Sequence, residues 1–197
     1  MSDRLQKIKE FLRSESQAID NIPIDPSVDE IVEILKACEG KTFTTGIGKA
    51  GYIAKKAAST FSTTGTPSVF LHPAESSHGD VGVISEGDVL LAYSNSGKTR
   101  EVIETVRFAR ALGATKIISI TSRKDTPLGE ESDLVLPLGE IKEACPFGLT
   151  PTSSAAAMLA ISDALALSVM EARGFQKEDW AKRHHGGYLG VKSTEKS

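Results

Sequence analysis

Five consecutive apolar residues, Val89-Leu90-Leu91-Ala92-Tyr93, lie near the middle of the chain. An apolar run this short and unbroken reads as a strand buried on both faces. Ser94-Asn95-Ser96-Gly97-Lys98-Thr99 follows, polar and turn-forming throughout. Then Val102, Ile103, Val106 and Ala109 recur at helical spacing until Gly113, a helix-stop signal. The pattern predicts strand, hydroxyl-rich turn, helix. The same alternation surrounds it. Lys41 to Thr45 is a strand, Gly46-Ile47-Gly48-Lys49-Ala50-Gly51 a glycine-rich turn, and Tyr52 to Thr63 a helix ending at Gly65. Pro67 to Leu71 is a strand followed by a polar loop from His72 to Asp80. Lys116 to Thr121 is a fourth strand before a turn cluster at Ser122 to Pro127. Leu134 to Leu138 is a fifth, placed near the surface by Pro137, which cannot donate to a ladder.

Helical periodicity brackets this core. Leu5, Ile8, Leu12 and Ile19 give an amphipathic helix over Asp3 to Ile19, broken by Asn21-Ile22-Pro23. Ser27 with Glu30 forms a capping box opening a second helix that stops at Gly40. Glu140 to Ser154 reads as a loop. It leads into an Ala-rich helix from Ser153 to about Arg173, apolar on most sides and therefore buried, closed by Gly174. A short helix from Lys177 to Arg183 precedes His184-His185-Gly186-Gly187-Tyr188-Leu189-Gly190.

Strands alternating with helices predict an α/β, doubly wound, five-stranded parallel sheet with helices on both faces. One domain is expected over 1–197: helices at 1–40, a core at 41–190 and a tail at 191–197. Ligands of such sheets sit beyond the carboxyl ends of the strands. The segments Gly46–Gly51, His72–Asp80, Ser94–Thr99 and Glu140–Ser154 all follow strands and should meet at one edge. A turn such as Ser94–Thr99 aims backbone N–H groups, hydroxyls and a helix dipole at one spot, which suits a phosphate. Taken alone it is equally an ordinary helix cap; the convergence of loops favours the phosphate.

Composition narrows the class. Apolar residues make up 40% and charged residues 25% of the 197 positions, as in globular proteins. The net charge of -3, without a basic run, argues against a nucleic-acid partner. Ser162 and Asp163 interrupt the apolar stretch Ala155 to Val169, so no membrane span is expected, and the charged N-terminus does not read as a secretory signal. Cys38 and Cys145 suggest neither a disulfide framework nor a metal knuckle. A cytoplasmic protein is expected. His72, Glu75, His78 and Asp80 lack the spacing that fixes a metal. The Gly46–Gly51 segment lacks the third glycine of a dinucleotide fingerprint and the spacing of a Walker loop. Lys49 lies at the mouth of its strand-turn-helix unit, and the adjacent His184 and His185 are the best acid/base candidates near neutral pH.

The stretches GIGKAG, TGTPSVFLHPAESSHGD, SNSGKTRE, KEACPFGLTPTSSAA and RHHGGYLG resemble the sugar-isomerase (SIS) domain of bacterial D-arabinose 5-phosphate isomerases, from about Lys41 to Gly190. The resemblance implies a flavodoxin-like SIS fold that interconverts D-ribulose 5-phosphate and D-arabinose 5-phosphate through an enediolate. It further implies supply of Kdo for lipopolysaccharide or capsule, a homotetramer, and no cofactor or metal. By position it implies catalytic roles for Lys49, Glu101, Glu143 and His184, and phosphate binding by Ser94, Ser96 and Thr99 with help from Ser153 and Ser154. Gly48, His78, Asn95 and His185 are expected to line the site.

Aldose-ketose isomerisation needs a carbon base, a shuttle for the oxygen proton and a cation or donor for the oxyanion. Glu143 and His184 suit the first two roles in either order. Lys49 suits the third, with Glu101 holding Lys49 or a sugar hydroxyl. His185 replaces a proline that many relatives carry, and Lys98 adds positive charge where some have an acid. Many relatives continue into CBS modules while this chain stops at Ser197, so control is expected at the site itself, by an anionic end product such as nucleotide-activated Kdo. The alternatives are an isomerase of hexulose 6-phosphate or sedoheptulose 7-phosphate, and a non-catalytic phosphosugar sensor.

Overall fold

The computed structural model describes residues 2–183. Its centre is one parallel sheet of β1 (Thr42–Gly46), β2 (Ser68–Leu71), β3 (Val89–Tyr93), β4 (Lys116–Thr121) and β5 (Leu134–Pro137), in the order β2-β1-β3-β4-β5. The sheet class, strand number and strand type are those expected. β3 begins and ends where its apolar run does, and β4 has the bounds expected. Alternation along β3 supplies both faces of the core. Val89, Leu91 and Tyr93 join one cluster, Leu90 and Ala92 the other. Proline-bearing β5 is an edge strand, yet Leu136 and Leu138 remain buried.

Helices cover the two faces. On one lie α2 (Ser27–Ala37), α3 (Gly48–Thr63) and α7 (Ser153–Ala172), packed through Ile31, Leu35, Phe61, Ile161 and Val169. On the other lies α5 (Arg100–Ala111), through Val102, Val106 and Ala109. The helix after β1 and the helix after β3 thus leave for opposite faces. This opens a crevice between the carboxyl ends of those adjacent strands, the usual ligand position in doubly wound sheets. The amphipathic α1 (Asp3–Asp20) lies along α7.

Several local expectations are corrected. The glycine-rich turn after β1 is already helix, since α3 starts at Gly48 and not at Tyr52. Gly48 takes φ +61° to enter the helix, and a Cβ on Gly51 would stand 2.6 Å from the Gly46 carbonyl oxygen. These glycines permit a tight strand-to-helix joint, which their poor helix propensity had disguised.

The segment after β2 is not an open loop either. It forms α4 (Pro73–Ser76) and a 3-10 turn at Asp80–Val83, each too short to show periodicity. Ser27 makes no capping box. It donates its N–H and hydroxyl to the Asp25 carboxylate, which these bonds hold below its usual pKa range. α2 ends at Ala37, three residues before Gly40. Two short helices complete the described chain, α6 (Pro127–Glu130) and α8 (Lys177–Ala181).

By length and composition alone α7 is long and apolar enough to cross a bilayer, although Asp163 and Glu171 lie within it. Here it is a core helix, half buried and packed against α1, α2 and α3.

Candidate active site

The turn after β3 owes its shape to its own polar groups. Ser94 is buried, and its Oγ lies 2.8 Å from Thr99 Oγ1, closing the turn side chain to side chain. The Gly97 N–H donates to the Ser94 carbonyl at 3.0 Å, and the Lys98 N–H to Ser96 Oγ at 3.2 Å. Gly97 has φ +62°, and a Cβ there would collide with the Thr126 side chain. Only glycine meets both demands. Neighbouring backbone anchors the turn: the Ser122 N–H donates to the Asn95 carbonyl and the Leu128 N–H to that of Gly97, each at 2.9 Å.

Thr99 is the N-cap of α5, but its hydroxyl is engaged with Ser94, and among the described residues no side chain caps this helix. The first-turn N–H groups, with the positive end of the dipole, are left for a ligand. Asn95 Oδ1 is buried without a hydrogen-bond partner among the described residues.

The turn forms one wall of a cleft of about 320 Å³ between the ends of β1 and β3. Lys49, Ser94, Asn95, Ser96, Thr99 and Ser154 all line it, so the structure brings six of the expected residues together. Lys49, exposed, comes from the first turn of α3. Ile47, Ala50, Pro151, Ala155 and Met158 supply an apolar lining that the sequence reading missed. Ala155 and Met158, three apart, lie on one face of α7 and were a usable signal.

Glu143 stands at the α7 side of this cleft. Its Oε2 accepts the Thr152 N–H at 2.8 Å and the Ser154 N–H at 3.4 Å, so the carboxylate caps α7 beside the cleft-lining Ser154. Ser153 faces elsewhere: it is fully buried, with its Oγ 3.3 Å from Ser14 Oγ of α1. Glu101, exposed on the first turn of α5, and Gly48, exposed at the start of α3, do not line the cleft.

Of the four segments expected at one sheet edge, His72–Asp80 departs. α4 turns back along α5, and Ser76, Ser77, Gly79 and Val81 line a separate groove with Phe108, Ala111 and Leu112. The exposed His78 belongs to that segment, beside the second half of α5, whereas the cleft lies at the helix's beginning. His184 and His185 lie outside the described residues.

Cys145, two residues beyond Glu143, was not singled out by sequence. Its Sγ accepts N–H groups from Leu149 at 3.1 Å and Thr150 at 3.2 Å. The Thr150 N–H is the main cause of a thiol pKa brought down to about 7. Burial pushes the Cys38 thiol up. Among the described residues no cluster of three or more His, Cys, Asp or Glu side chains could hold a metal ion.

Comparison with known proteins agrees with this architecture. The SIS domain model matches residues 35–168. The arabinose 5-phosphate isomerase KdsD of Pseudomonas aeruginosa is 43% identical over 195 residues, covering 96% of this chain and 60% of that protein. KdsD of Escherichia coli K12 is 45% identical over 155 residues, covering 79% of this chain and 47% of its own length. The chain therefore spans about half the length of the curated relatives it matches. Among solved structures, a candidate phosphosugar isomerase involved in capsule formation from Bacteroides fragilis superposes with a TM-score of 0.90 at 46% identity, over 94% of this chain and 99% of that one. An Escherichia coli CFT073 protein in complex with arabinose 5-phosphate superposes with a TM-score of 0.88 at 34% identity, over 93% and 100%. With the domain match covering more than half of its length and the sheet, crevice and turn in agreement, the chain belongs to the SIS domain family.

Proposed function

We propose that this chain interconverts D-ribulose 5-phosphate and D-arabinose 5-phosphate; its KdsD relatives are named arabinose 5-phosphate isomerases. One observation carries the reading. A phosphate-type turn at an uncapped helix start and a carboxylate at the start of a second helix flank the same cleft, with Lys49 among its lining. The phosphate sits on the hydroxyls of Ser94, Ser96 and Thr99 and the first-turn N–H groups of α5, with Ser154 near. Charge-assisted bonds of this kind are worth roughly 1.5–3 kcal/mol each, enough to anchor a small polyol by one end.

The carbon chain then extends towards Glu143 and Lys49. A base removes the C2 proton of arabinose 5-phosphate, and the resulting enediolate is reprotonated at C1 while a proton passes between O1 and O2. Glu143 is held through one carboxylate oxygen, which fixes the side chain for proton transfer at the other. The Lys49 ammonium stabilises the enediolate oxygen, and Glu101 orients Lys49 or a sugar hydroxyl.

His184 carries the oxygen proton and opens the sugar ring, or exchanges roles with Glu143. Among the described residues Lys49 is the only titratable side chain lining the cleft, which leaves room for a second proton carrier from elsewhere. We place it on His184 of a neighbouring subunit in a homotetramer, with His78 and His185 near the shared site. The enzyme works in the cytoplasm and feeds Kdo synthesis. Nucleotide-activated Kdo, an anionic end product, competes for the same cleft.

Incubation with ribulose 5-phosphate should yield arabinose 5-phosphate, and free arabinose should be a negligible substrate. Absence of arabinose 5-phosphate, with product formed instead from hexulose 6-phosphate or sedoheptulose 7-phosphate, would move the activity to another SIS isomerase.

A further inference from the structure

A second cleft, also of about 320 Å³, lies on the opposite side of the Asn95–Ser96 wall. Its remaining lining comes from Lys98, Ser122, Arg123, Thr126, Glu140 and Ile141, contributed by the exits of β3, β4 and β5. The two clefts share Asn95 and Ser96, and Ser96 is exposed, so a bound molecule can pass over it from one to the other. Cationic donors dominate this second space. Lys98 forms no ion pair among the described residues. Arg123 lies 3.2 Å from Asp125 through Nε and 3.5 Å from Glu140 through Nη1.

Both of those acids are exposed, with side chains 77% and 83% accessible. Such solvated pairs hold weakly, and a better-placed anion can take over the guanidinium. The hydroxyls of Ser96 and Ser122 add neutral donors. The space is therefore built for a compact anion, and its position beside the turn makes it the partner of the first cleft.

We propose that the second cleft is an anion subsite, and that the two clefts together take a small ligand carrying two anionic groups, such as a sugar bisphosphate. This rests on the reading of the first cleft as a phosphate site. One phosphate occupies the Ser94–Thr99 turn. The carbon chain crosses Ser96, and the other anion lies between Lys98 and Arg123. Such a ligand is not turned over, because its carbon chain is drawn away from Glu143, and it competes with the monophosphate.

Calorimetric titration with D-ribulose 1,5-bisphosphate and D-ribulose 5-phosphate tests this on the wild type, Arg123→Gln and Lys98→Gln. The wild type should bind the bisphosphate about tenfold more tightly than the monophosphate, one charge-assisted contact's worth. Arg123→Gln should remove that advantage and leave the monophosphate affinity and turnover within about twofold; Lys98→Gln should weaken the bisphosphate likewise. Bisphosphate binding no tighter than monophosphate in the wild type overturns the subsite, as does an advantage that survives both substitutions. If ribulose 5-phosphate does not bind at all, the function reading fails separately. The subsite is then decided by whether Arg123→Gln still weakens the bisphosphate about tenfold.

Discussion

At the scale of single residues, short polar side chains do most of the positioning, and they do so by occupying one another. Ser94 and Thr99 close the turn after β3 together, so removing either hydroxyl should loosen it. Their place in a turn was legible in sequence because turn chemistry is local. The orientation of Ser153 was not. One step along a helix rotates a side chain by about 100°, and which of Ser153 and Ser154 meets the cleft depends on where α1 packs.

Cys145 was illegible for a similar reason, since its donors arrive only when the chain turns back at Leu149 and Thr150. Those N–H groups bind the thiolate better than the thiol, so its titration moves down, from the usual value to about 7. Alkylation of Cys145 by iodoacetamide should therefore rise with pH through about 7, while Cys38, half-buried and shifted upwards, reacts only on unfolding. Equal labelling rates for the two thiols in the native protein would contradict this environment.

Elements were legible wherever the pattern was long or two-sided. β3 was read to the residue because a run apolar on both faces has clear ends, and β4 because its Ile residues lie between turn signals. The start of α7 was marked by proline and three hydroxyls, and it begins where expected. Failures came where a tertiary partner decides. α3 begins in glycines because β1 and its helix must nearly touch. α4 and the following 3-10 turn are held against α5 and carry too few residues to show a period.

The cap of α7 is another case, because its acceptor is Glu143, nine and eleven positions before the N–H groups it serves. Two substitutions separate this structural duty from chemistry. Glu143→Ala should lower stability by about 1 kcal/mol through the lost cap. Glu143→Gln keeps an acceptor and should stay within about 0.5 kcal/mol of wild type while losing activity. Thermal unfolding reads both, and an Ala variant as stable as wild type would show that the cap contributes nothing.

At the scale of the molecule, the sheet order 2-1-3-4-5 creates the crevice, and everything else furnishes it. What the described chain does not furnish is a second proton carrier among the cleft's lining. Exposed apolar side chains lie on the segment leading from Glu143 to α7, with Phe147 84% and Leu149 80% accessible. They suit contact with another subunit. Complementation tests whether the site is shared. Glu143→Gln and His184→Ala, each inactive alone, should regain part of the activity when their subunits are mixed and exchanged, since some sites then hold both intact residues. A mixture that exchanges subunits and stays inactive rules out the shared site.

In the proposed reaction a proton moves between two carbons of a phosphosugar in the cleft between the Ser94–Thr99 turn and α7, with Glu143 as its base. Incubation with arabinose 5-phosphate in heavy water, followed by proton NMR, tests it most directly. Wild type should place solvent deuterium on the carbon that receives the proton as ribulose 5-phosphate forms. Glu143→Gln should bind the substrate and show neither exchange nor turnover. Normal turnover by Glu143→Gln, or hydrogen exchange in that variant at the wild-type rate, would contradict a base role for Glu143.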